Sequence, residues 1–247
     1  MESIKMSLEE TSIVADKYRV FLNLEDPTIQ WRHGKPPTYE TVNQLFEDGR
    51  TKEWPKGSLE ETVQNIIKSL QVEFAHKTRL EDFKAINPQK FNVFINGREG
   101  LSVEDVLRIG NLNALLKSSL PKELQFYKVE EETQESAHND FKTCFPRGFA
   151  WEVIEVYSPP PLIAFKFRHW GFFEGHFKAY SPTGELVQFY GMATLKVDSS
   201  MQAEEVHIYY DSTELFGGLL KGKKNIDSEL FKTTDCNSAA SACPIFN

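Results

Sequence analysis

Four apolar runs in the C-terminal half of the chain, each of strand length, are separated only by short polar breaks. They cover residues 149–157, 162–170, 185–197 and 206–211, and the breaks are rich in Pro, Gly, Ser and Asp. Strands joined by such short links pair antiparallel, because a parallel pair needs a crossover of about a dozen residues or more. The pattern predicts an antiparallel meander over residues 145–220, curved around a pocket, with Asp211 at its mouth or wall.

Helical spacing dominates the N-terminal half. Thr38 is placed to cap a helix over residues 39–48, and Gly49 follows where a C-terminal glycine belongs. Ser58 and Glu61 have the spacing of a capping box, and the helix that they open carries an apolar stripe about 100° wide.

Shorter elements complete the predicted fold. Helices are predicted at residues 103–109, 137–145 and 212–220, a further apolar segment at residues 112–120, and a short strand at residues 91–95. Because most helices precede the antiparallel strands, we expect an α+β fold in which helices cover one face of the sheet.

The same pattern suggests three parts along the chain. Residues 1–14 form a polar, flexible arm, residues 15–222 form one domain with an N-terminal helical extension, and residues 223–247 have the Lys-, Ser-, Ala- and Asn-rich composition of a disordered tail.

Composition narrows the classes of function. The 19 phenylalanines suit a wide core or an apolar ligand cavity. A net charge of −8 argues against binding to nucleic acid or to an anionic membrane surface. No apolar run has the roughly 18 residues of a membrane span, and no signal peptide is visible at Met1. The three cysteines lack metal-ligand spacing and suit a reducing compartment, so we expect a cytoplasmic protein without a metal site.

Several motifs carry a resemblance to known families. Residues 145–146, 167–171, 174–177, 182–184 and 210–211 resemble the SnoaL-like, polyketide-cyclase branch of the nuclear transport factor 2-like superfamily. Residues 31–34, 39–50, 54–61, 76–78, 96–98 and 217–222 resemble the plant pathogen-related protein family, a similarity that spans roughly residues 15–222. The resemblance implies a cone, in which a strongly bent sheet and the helices across its open face enclose an apolar cavity.

Asp211 is the first candidate for chemistry. The resemblance implies that it matches the late-strand Asp that moves a proton in SnoaL-like cyclases. A carboxylate in an apolar pocket has a raised pKa and can act as a proton shuttle near neutral pH. The alternative is that Asp211 caps the following helix, with Glu214 three residues later.

The last strand also offers two alternatives. Alternation puts His207, Tyr209 and Asp211 on one face and the residues between them on the other. Either the first set forms a polar strip inside the pocket, or the second set faces the core and His207 is solvated.

His169 is the second catalytic candidate, since histidine titrates nearest physiological pH. Alternation along the strand puts it on the same face as Phe165 and Phe167. The alternative is a structural histidine that only makes hydrogen bonds, which is common at the end of an apolar strand. Further residues expected to line the pocket are Phe167, Trp170, Tyr190 and, from the helical side, His76, whose alternative is an interaction with a helix C-terminus.

The expected function follows from these points. The resemblance implies a plant defence or specialised-metabolism protein that binds a small apolar metabolite, such as a terpenoid or polyketide. As an enzyme it would be a cofactor-free isomerase, cyclase or dehydratase. The rivals are a carrier or pathway helper that assists a membrane-bound oxidase, and a protein-interaction adaptor. A homodimer is expected from the superfamily.

Overall fold

The computed structural model describes residues 16–22, 24 and 26–224. The predicted arm at residues 1–14 and residues 225–247 of the predicted tail lie outside the described residues. The helices are α1 (Glu40–Gly49), α2 (Leu59–His76), α3 (Val103–Ile109), α4 (Asn111–Leu116), α5 (Gln134–Cys144) and α6 (Ser212–Leu219). The strands are β1 (Asn92–Ile95), β2 (Ala150–Val156), β3 (Leu162–Phe172), β4 (Leu186–Val197) and β5 (Ala203–Tyr210).

The five strands form one open, curved sheet in the order β1-β5-β4-β3-β2. Strands β2 to β5 are the predicted antiparallel meander. Register shifts between Val153 and Glu155 and between Lys196 and Val197 interrupt two of its ladders, and such irregularities bend a sheet. Strand β1 adds a parallel partner to β5, with Phe94 opposite His207. The α+β fold with a curved sheet and covering helices is therefore confirmed.

Local sequence explains where several helices begin. The Ser58 hydroxyl accepts a hydrogen bond from the Glu61 backbone N–H at 3.1 Å, so Ser58 caps α2 as predicted. The reciprocal bond of a capping box is not formed, because the Glu61 carboxylate accepts from the Gly57 backbone N–H at 2.6 Å instead. Helix α5 begins at residue 134, three residues earlier than predicted, because Thr133 and Ser136 cap each other reciprocally. The apolar segment at residues 112–120 contributes to α4, which ends at Leu116 because the backbone of the next residue is no longer helical.

The predicted ends of α1 are corrected in two respects. Tyr39, not Thr38, occupies the N-cap position, and its side chain makes no capping hydrogen bond. Gly49 is the last helical residue rather than a left-handed cap. A Cβ atom at Gly49 would lie 2.6 Å from the Trp170 indole nitrogen, so glycine is needed there for close packing.

A buried carboxylate ties the α1–α2 connection to the sheet. Glu152 on β2 accepts hydrogen bonds from the backbone N–H of Thr51 at 2.8 Å and from its hydroxyl at 3.0 Å. The guanidinium of Arg168 on β3 lies 3.1 Å from the same carboxylate. This pairing compensates the burial of both charges and fixes the helical layer relative to the sheet.

Among the described residues, no helix combines the length and the apolar character needed to cross a membrane.

Candidate functional site

An apolar cavity of about 110 Å³ lies between the helices and the inner face of the sheet. The sheet side of its wall is dominated by Trp151, Phe165, Phe167, Phe189, Val206 and Ile208. The helical side includes Ile67, Leu70 and Phe74 of α2, Val106 of α3 and Ala114 of α4. A single buried water needs only about 10–15 Å³ and two to four polar partners, so this space is better suited to an apolar molecule.

Strand alternation selects the lining side chains. On β3, Phe165, Phe167 and His169 share the inner face, as their common parity predicts. On β5 the inner residues are Val206, Ile208 and Tyr210. The inner face of β5 is therefore that of the second alternative, but His207, which that alternative expected to be solvated, has a side chain that is only 29% exposed.

His169 lies in the cavity wall and is only 4% exposed. Its imidazole stacks on the Phe149 ring, with centroids 4.6 Å apart and planes 20° apart, and a second ring, Phe189, lies at 5.4 Å. Burial lowers the pKa of His169 to about 3, although a hydrogen bond with the backbone of Ala150 acts in the opposite direction. The ring is therefore neutral at pH 7.

Three other polar side chains line the cavity, namely Gln71, Asn111 and Tyr210. The Tyr210 hydroxyl donates to the Leu115 carbonyl oxygen at 2.9 Å, and burial raises its pKa. Gln71 Oε1, Asn111 Nδ2 and His169 Nδ1 are buried and have no hydrogen-bond partner within the described part of the chain. A buried polar atom without a partner typically costs about 1–3 kcal/mol.

Asp211 lies outside this cavity, contrary to the expected place at its mouth or wall. Its exposed carboxylate caps α6 and accepts hydrogen bonds from the Thr213 backbone N–H and hydroxyl. These two bonds lower the pKa of Asp211. An exposed acid that is ionised at neutral pH lacks the raised pKa on which the proton-shuttle hypothesis depended.

The other predicted residues of the last two strands also lie on the outer face. Tyr190 is 47% exposed and Tyr209 is 50% exposed. The Lys166 ammonium lies 5.4 Å from the centre of the Tyr190 ring. His207 stacks on Phe94, with ring centroids 4.3 Å apart. The expectation that Tyr190, Tyr209 and His207 line the pocket is corrected, because alternation turns the opposite faces of β4 and β5 inward.

Trp170 is buried, but it is not in the cavity wall. It belongs to a second cluster in which α1 covers the other face of the sheet, and its ring lies 6.1 Å from that of Phe46. Its parity along β3 is opposite to that of Phe167 and His169. The expected pocket position of Trp170 is corrected for this reason.

His76 is the last residue of α2 and is likewise absent from the cavity wall. Its ring lies 6.1 Å from that of His33 and 6.2 Å from that of His138, in edge-to-face arrangements. Burial, with smaller contributions from nearby positive groups, lowers the pKa of His76 to about 3 and that of His138 to about 4. Within the described ranges, no three His, Cys, Asp or Glu side chains are arranged to hold a metal ion.

Sequence reasoning missed Gln71, Asn111 and Tyr210 as cavity residues. Gln71 could have been found, because it lies four residues after Ile67 on the stripe of α2 that is otherwise apolar. Asn111 gave no comparable signal, since it reaches the cavity only through the packing of α4 against the body of the protein.

The fold and site define an α+β protein whose curved sheet and helices enclose an apolar cavity with a few neutral polar groups. A pathogen-related protein from Hordeum vulgare is 42% identical over 233 residues, covering 93% of this chain and 94% of the relative. The chain belongs to the pathogen-related protein family, which confirms the resemblance found in its sequence. No family model matches the chain.

Solved structures align with the chain at low similarity. A provisionally named SnoaL-like polyketide cyclase from a Jannaschia species aligns with a TM-score of 0.38 and 13% identity, over 68% of this chain and 97% of that one. An NTF2-like protein from Burkholderia thailandensis aligns with a TM-score of 0.31 and 9% identity, over 56% of this chain and 82% of that one.

Proposed function

We propose that this protein binds a small, mainly apolar and uncharged metabolite in the cavity beneath the curved sheet. The observation that carries the proposal is the composition of the cavity wall. Apolar side chains surround about 110 Å³, and the polar residues that the described part of the chain adds to the wall are neutral. Moving a charge into such surroundings without a counter-charge is costly, whereas apolar surface gains from burial. The ligand class is therefore terpenoid-like or polyketide-like.

Binding without turnover is better supported than catalysis. Among the residues that the structure describes, no carboxylate lines the cavity, and Asp211 is on the outside. The protein would then act as a carrier or pathway helper that presents its ligand to a biosynthetic enzyme, such as a membrane-bound oxidase. Membership of the pathogen-related family supports a setting in plant defence or specialised metabolism, and a cytoplasmic location is part of the proposal.

The second candidate is cofactor-free acid–base chemistry, namely isomerisation, cyclisation or dehydration. His169 favours it, since a neutral imidazole with a free nitrogen lies in the wall. The low pKa of His169, about 3, makes the ring a weak base at pH 7 and so ranks this candidate lower. If the protein is an enzyme, His169→Phe removes turnover, and unchanged turnover by that variant would exclude His169 as the base.

A protein partner is proposed for the outer face of the sheet, around Tyr190, Met192 and Tyr209, each of which is more than 40% exposed. Exposed apolar side chains that cluster on one face often mark an interface. A second copy of the chain is the expected partner. Sedimentation of a single species with the mass of one chain at high micromolar concentration would contradict the homodimer.

A cavity-filling substitution tests the binding proposal. Ala193 lies in the cavity wall, so Ala193→Leu should weaken the binding of a neutral apolar fluorophore, N-phenyl-1-naphthylamine, by about tenfold or more. Ala164→Leu is the matched control, because Ala164 is outside the wall and has the outer-face parity of β3. Equal affinities of the two variants and the unmodified protein, or no binding of neutral apolar compounds at all, would overturn the proposal.

A further inference from the structure

The residues that line the cavity differ in chemistry according to how deeply they are buried. Within the described part of the chain, eight of the sixteen buried lining residues are aromatic, counting His169. The four lining residues that are partly exposed are all aliphatic, namely Leu70, Val93, Leu115 and Ile208. The enclosed part of the cavity is thus largely aromatic, whereas the part that solvent reaches is aliphatic.

The four partly exposed residues define the mouth of the cavity. Val93 and Ile208 lie on β1 and β5, which are neighbours in the sheet, and Leu70 and Leu115 lie on α2 and α4. The Tyr210 hydroxyl donates to the Leu115 carbonyl oxygen at 2.9 Å, which ties α4 to the end of β5. The mouth therefore opens between these two helices and the β1–β5 side of the sheet.

The enclosed part contains an aromatic panel, formed by Trp151 of β2, Phe167 and His169 of β3 and Phe189 of β4. The rings of Trp151 and Phe167 are stacked, with centroids 5.8 Å apart, and Phe189 lies edge-on to Phe167 at 6.4 Å. The His169 ring lies 5.4 Å from Phe189. In the strand order, β2 is three places from β5, which is about 14 Å at roughly 4.8 Å per strand. The panel and the mouth are thus at opposite sides of the sheet.

The volume limits what can lie against the panel. An apolar cavity of about 150 Å³ takes benzene, so the roughly 110 Å³ here has room for one ring and no second one. The remainder of a larger ligand must lie in the mouth. An aromatic ring against the panel gains from offset or edge-to-face contacts in addition to its burial, and a saturated ring gains only from burial.

We propose that the cavity takes an arene that carries an aliphatic chain, such as an alkyl- or prenyl-substituted benzene. The aryl ring enters first and lies against Trp151, Phe167 and Phe189, and the chain lies in the mouth between Leu115 and Ile208. The inference rests on the proposed binding function and names the class of ligand, and its orientation, for that same cavity.

Two isomeric probes test the orientation. 1-Bromo-4-hexylbenzene carries its bromine on the ring, and 1-bromo-6-phenylhexane carries it at the end of the chain. Bromine quenches tryptophan fluorescence at close range, and Trp151 is the tryptophan of the cavity wall, since Trp31, Trp54 and Trp170 are outside it. Because the mouth is about 14 Å from β2, the ring-brominated isomer should quench about threefold more strongly or better. This difference should disappear in Trp151→Phe.

Variants at the two ends of the cavity test the ligand class. Affinities are measured by displacement of N-phenyl-1-naphthylamine from the full-length protein. Phe189→Leu should weaken the binding of hexylbenzene about threefold more than that of hexylcyclohexane, because leucine offers no ring to pair with the arene. Leu115→Ala should reduce the advantage of hexylbenzene over toluene about fivefold, because the chain loses apolar contact. Leu124→Ala is the control, since Leu124 is 57% exposed and outside the wall.

The outcomes separate this inference from the proposed function. The orientation is overturned if both bromine isomers quench Trp151 equally. The ligand class is overturned if Phe189→Leu weakens hexylbenzene and hexylcyclohexane alike, or if Leu115→Ala affects toluene as much as hexylbenzene. In these cases apolar binding stands. If none of the compounds displaces the fluorophore, the inference and the proposed function both fail.

Discussion

The Asp211 carboxylate accepts hydrogen bonds from the Thr213 backbone N–H at 2.8 Å and from the Thr213 hydroxyl at 2.6 Å. This relationship makes Asp211 the N-cap of α6 and holds its side chain on the surface. The preceding residue, Tyr210, is the last to line the cavity. At the junction between β5 and α6, the last residue of the cavity wall is therefore followed directly by the residue that caps the helix.

The role of Asp211 as a cap predicts how its variants behave. Asn is an equally good cap, so Asp211→Asn should change the free energy of unfolding by less than about 0.5 kcal/mol, whereas Asp211→Ala should lose about 1 kcal/mol. Both variants should bind apolar ligands as the unmodified protein does. Urea unfolding and ligand titration check this prediction. A loss of ligand binding by Asp211→Asn at unchanged stability would show that the Asp211 carboxylate takes part in binding.

Gly191 predicts a second effect, on the shape of the cavity. A Cβ atom at Gly191 would lie 2.3 Å from the Phe167 ring and 2.8 Å from the Tyr209 carbonyl oxygen. In Gly191→Ala the ring of Phe167 must move within the cavity wall, so we expect a loss of about 1–3 kcal/mol of stability and weaker binding of apolar probes.

Gly217→Ala is the matched control for this substitution. Gly217 is an exposed residue of α6, and no atom of the described residues lies within 4 Å of a Cβ built there. Alanine there should stabilise the protein by about 0.5–1 kcal/mol and leave binding unchanged. If Gly191→Ala behaves like Gly217→Ala in thermal unfolding and ligand titration, the packing of Phe167 over Gly191 does not shape the cavity.

Local patterns predicted most of the fold. The four strands of the meander begin and end within a few residues of their predicted bounds, because each run is apolar and each break carries turn residues. The parallel pairing of β1 with β5 was not predicted. It joins segments more than a hundred residues apart, and no local signal in either strand specifies that contact.

The candidate site was less predictable from sequence. The alternation of side chains along β3 predicts that Phe167 and His169 lie on one face of the sheet. The same alternation predicts that Trp170 lies on the opposite face. For Asp211 the sequence was compatible with a position in the cavity wall and with the N-cap of the following helix, since an acid at a strand–helix junction suits both positions. The choice depends on which face of β5 meets the helices, and that is decided by tertiary packing.

The buried histidines predict a loss of stability in mild acid. Burial holds the pKa of His76 and His169 at about 3 and that of His138 at about 4, below the ordinary value near 6.5 in the unfolded chain. Between about pH 6.5 and pH 4 the unfolded state therefore binds more protons, so stability falls as the pH falls. Each histidine contributes up to about 1.4 kcal/mol per pH unit.

Urea unfolding at pH 7, 6 and 5 measures this dependence. Burial raises the pKa of Asp140, which acts in the opposite sense and reduces the slope at the acid end. His138→Gln should make the slope shallower by up to about 1.4 kcal/mol per pH unit, because one group no longer takes up a proton on unfolding. A stability that is constant from pH 7 to pH 5 would show that the three rings are not held neutral by burial.

The pairing of Glu152 with Arg168 predicts the largest loss of stability. Glu152→Gln leaves the Arg168 guanidinium, whose side chain is 8% exposed, without its counter-charge. Removing one partner of a buried ion pair typically costs about 3–5 kcal/mol, so this variant should unfold at a much lower urea concentration. Glu155→Gln on the same strand is the control. Glu155 is exposed, and its substitution should change stability by less than about 0.5 kcal/mol.

Removing both charges separates the cost of an unpaired charge from the value of the pair itself. Glu152→Met combined with Arg168→Met buries no charge, so it should be more stable than Glu152→Gln alone. Recovery should be incomplete, because the Thr51 backbone N–H and hydroxyl also lose their acceptor, Glu152. A double variant less stable than Glu152→Gln would mean that the ion pair and the hydrogen bonds to Thr51 together stabilise the protein by more than a lone buried charge destabilises it.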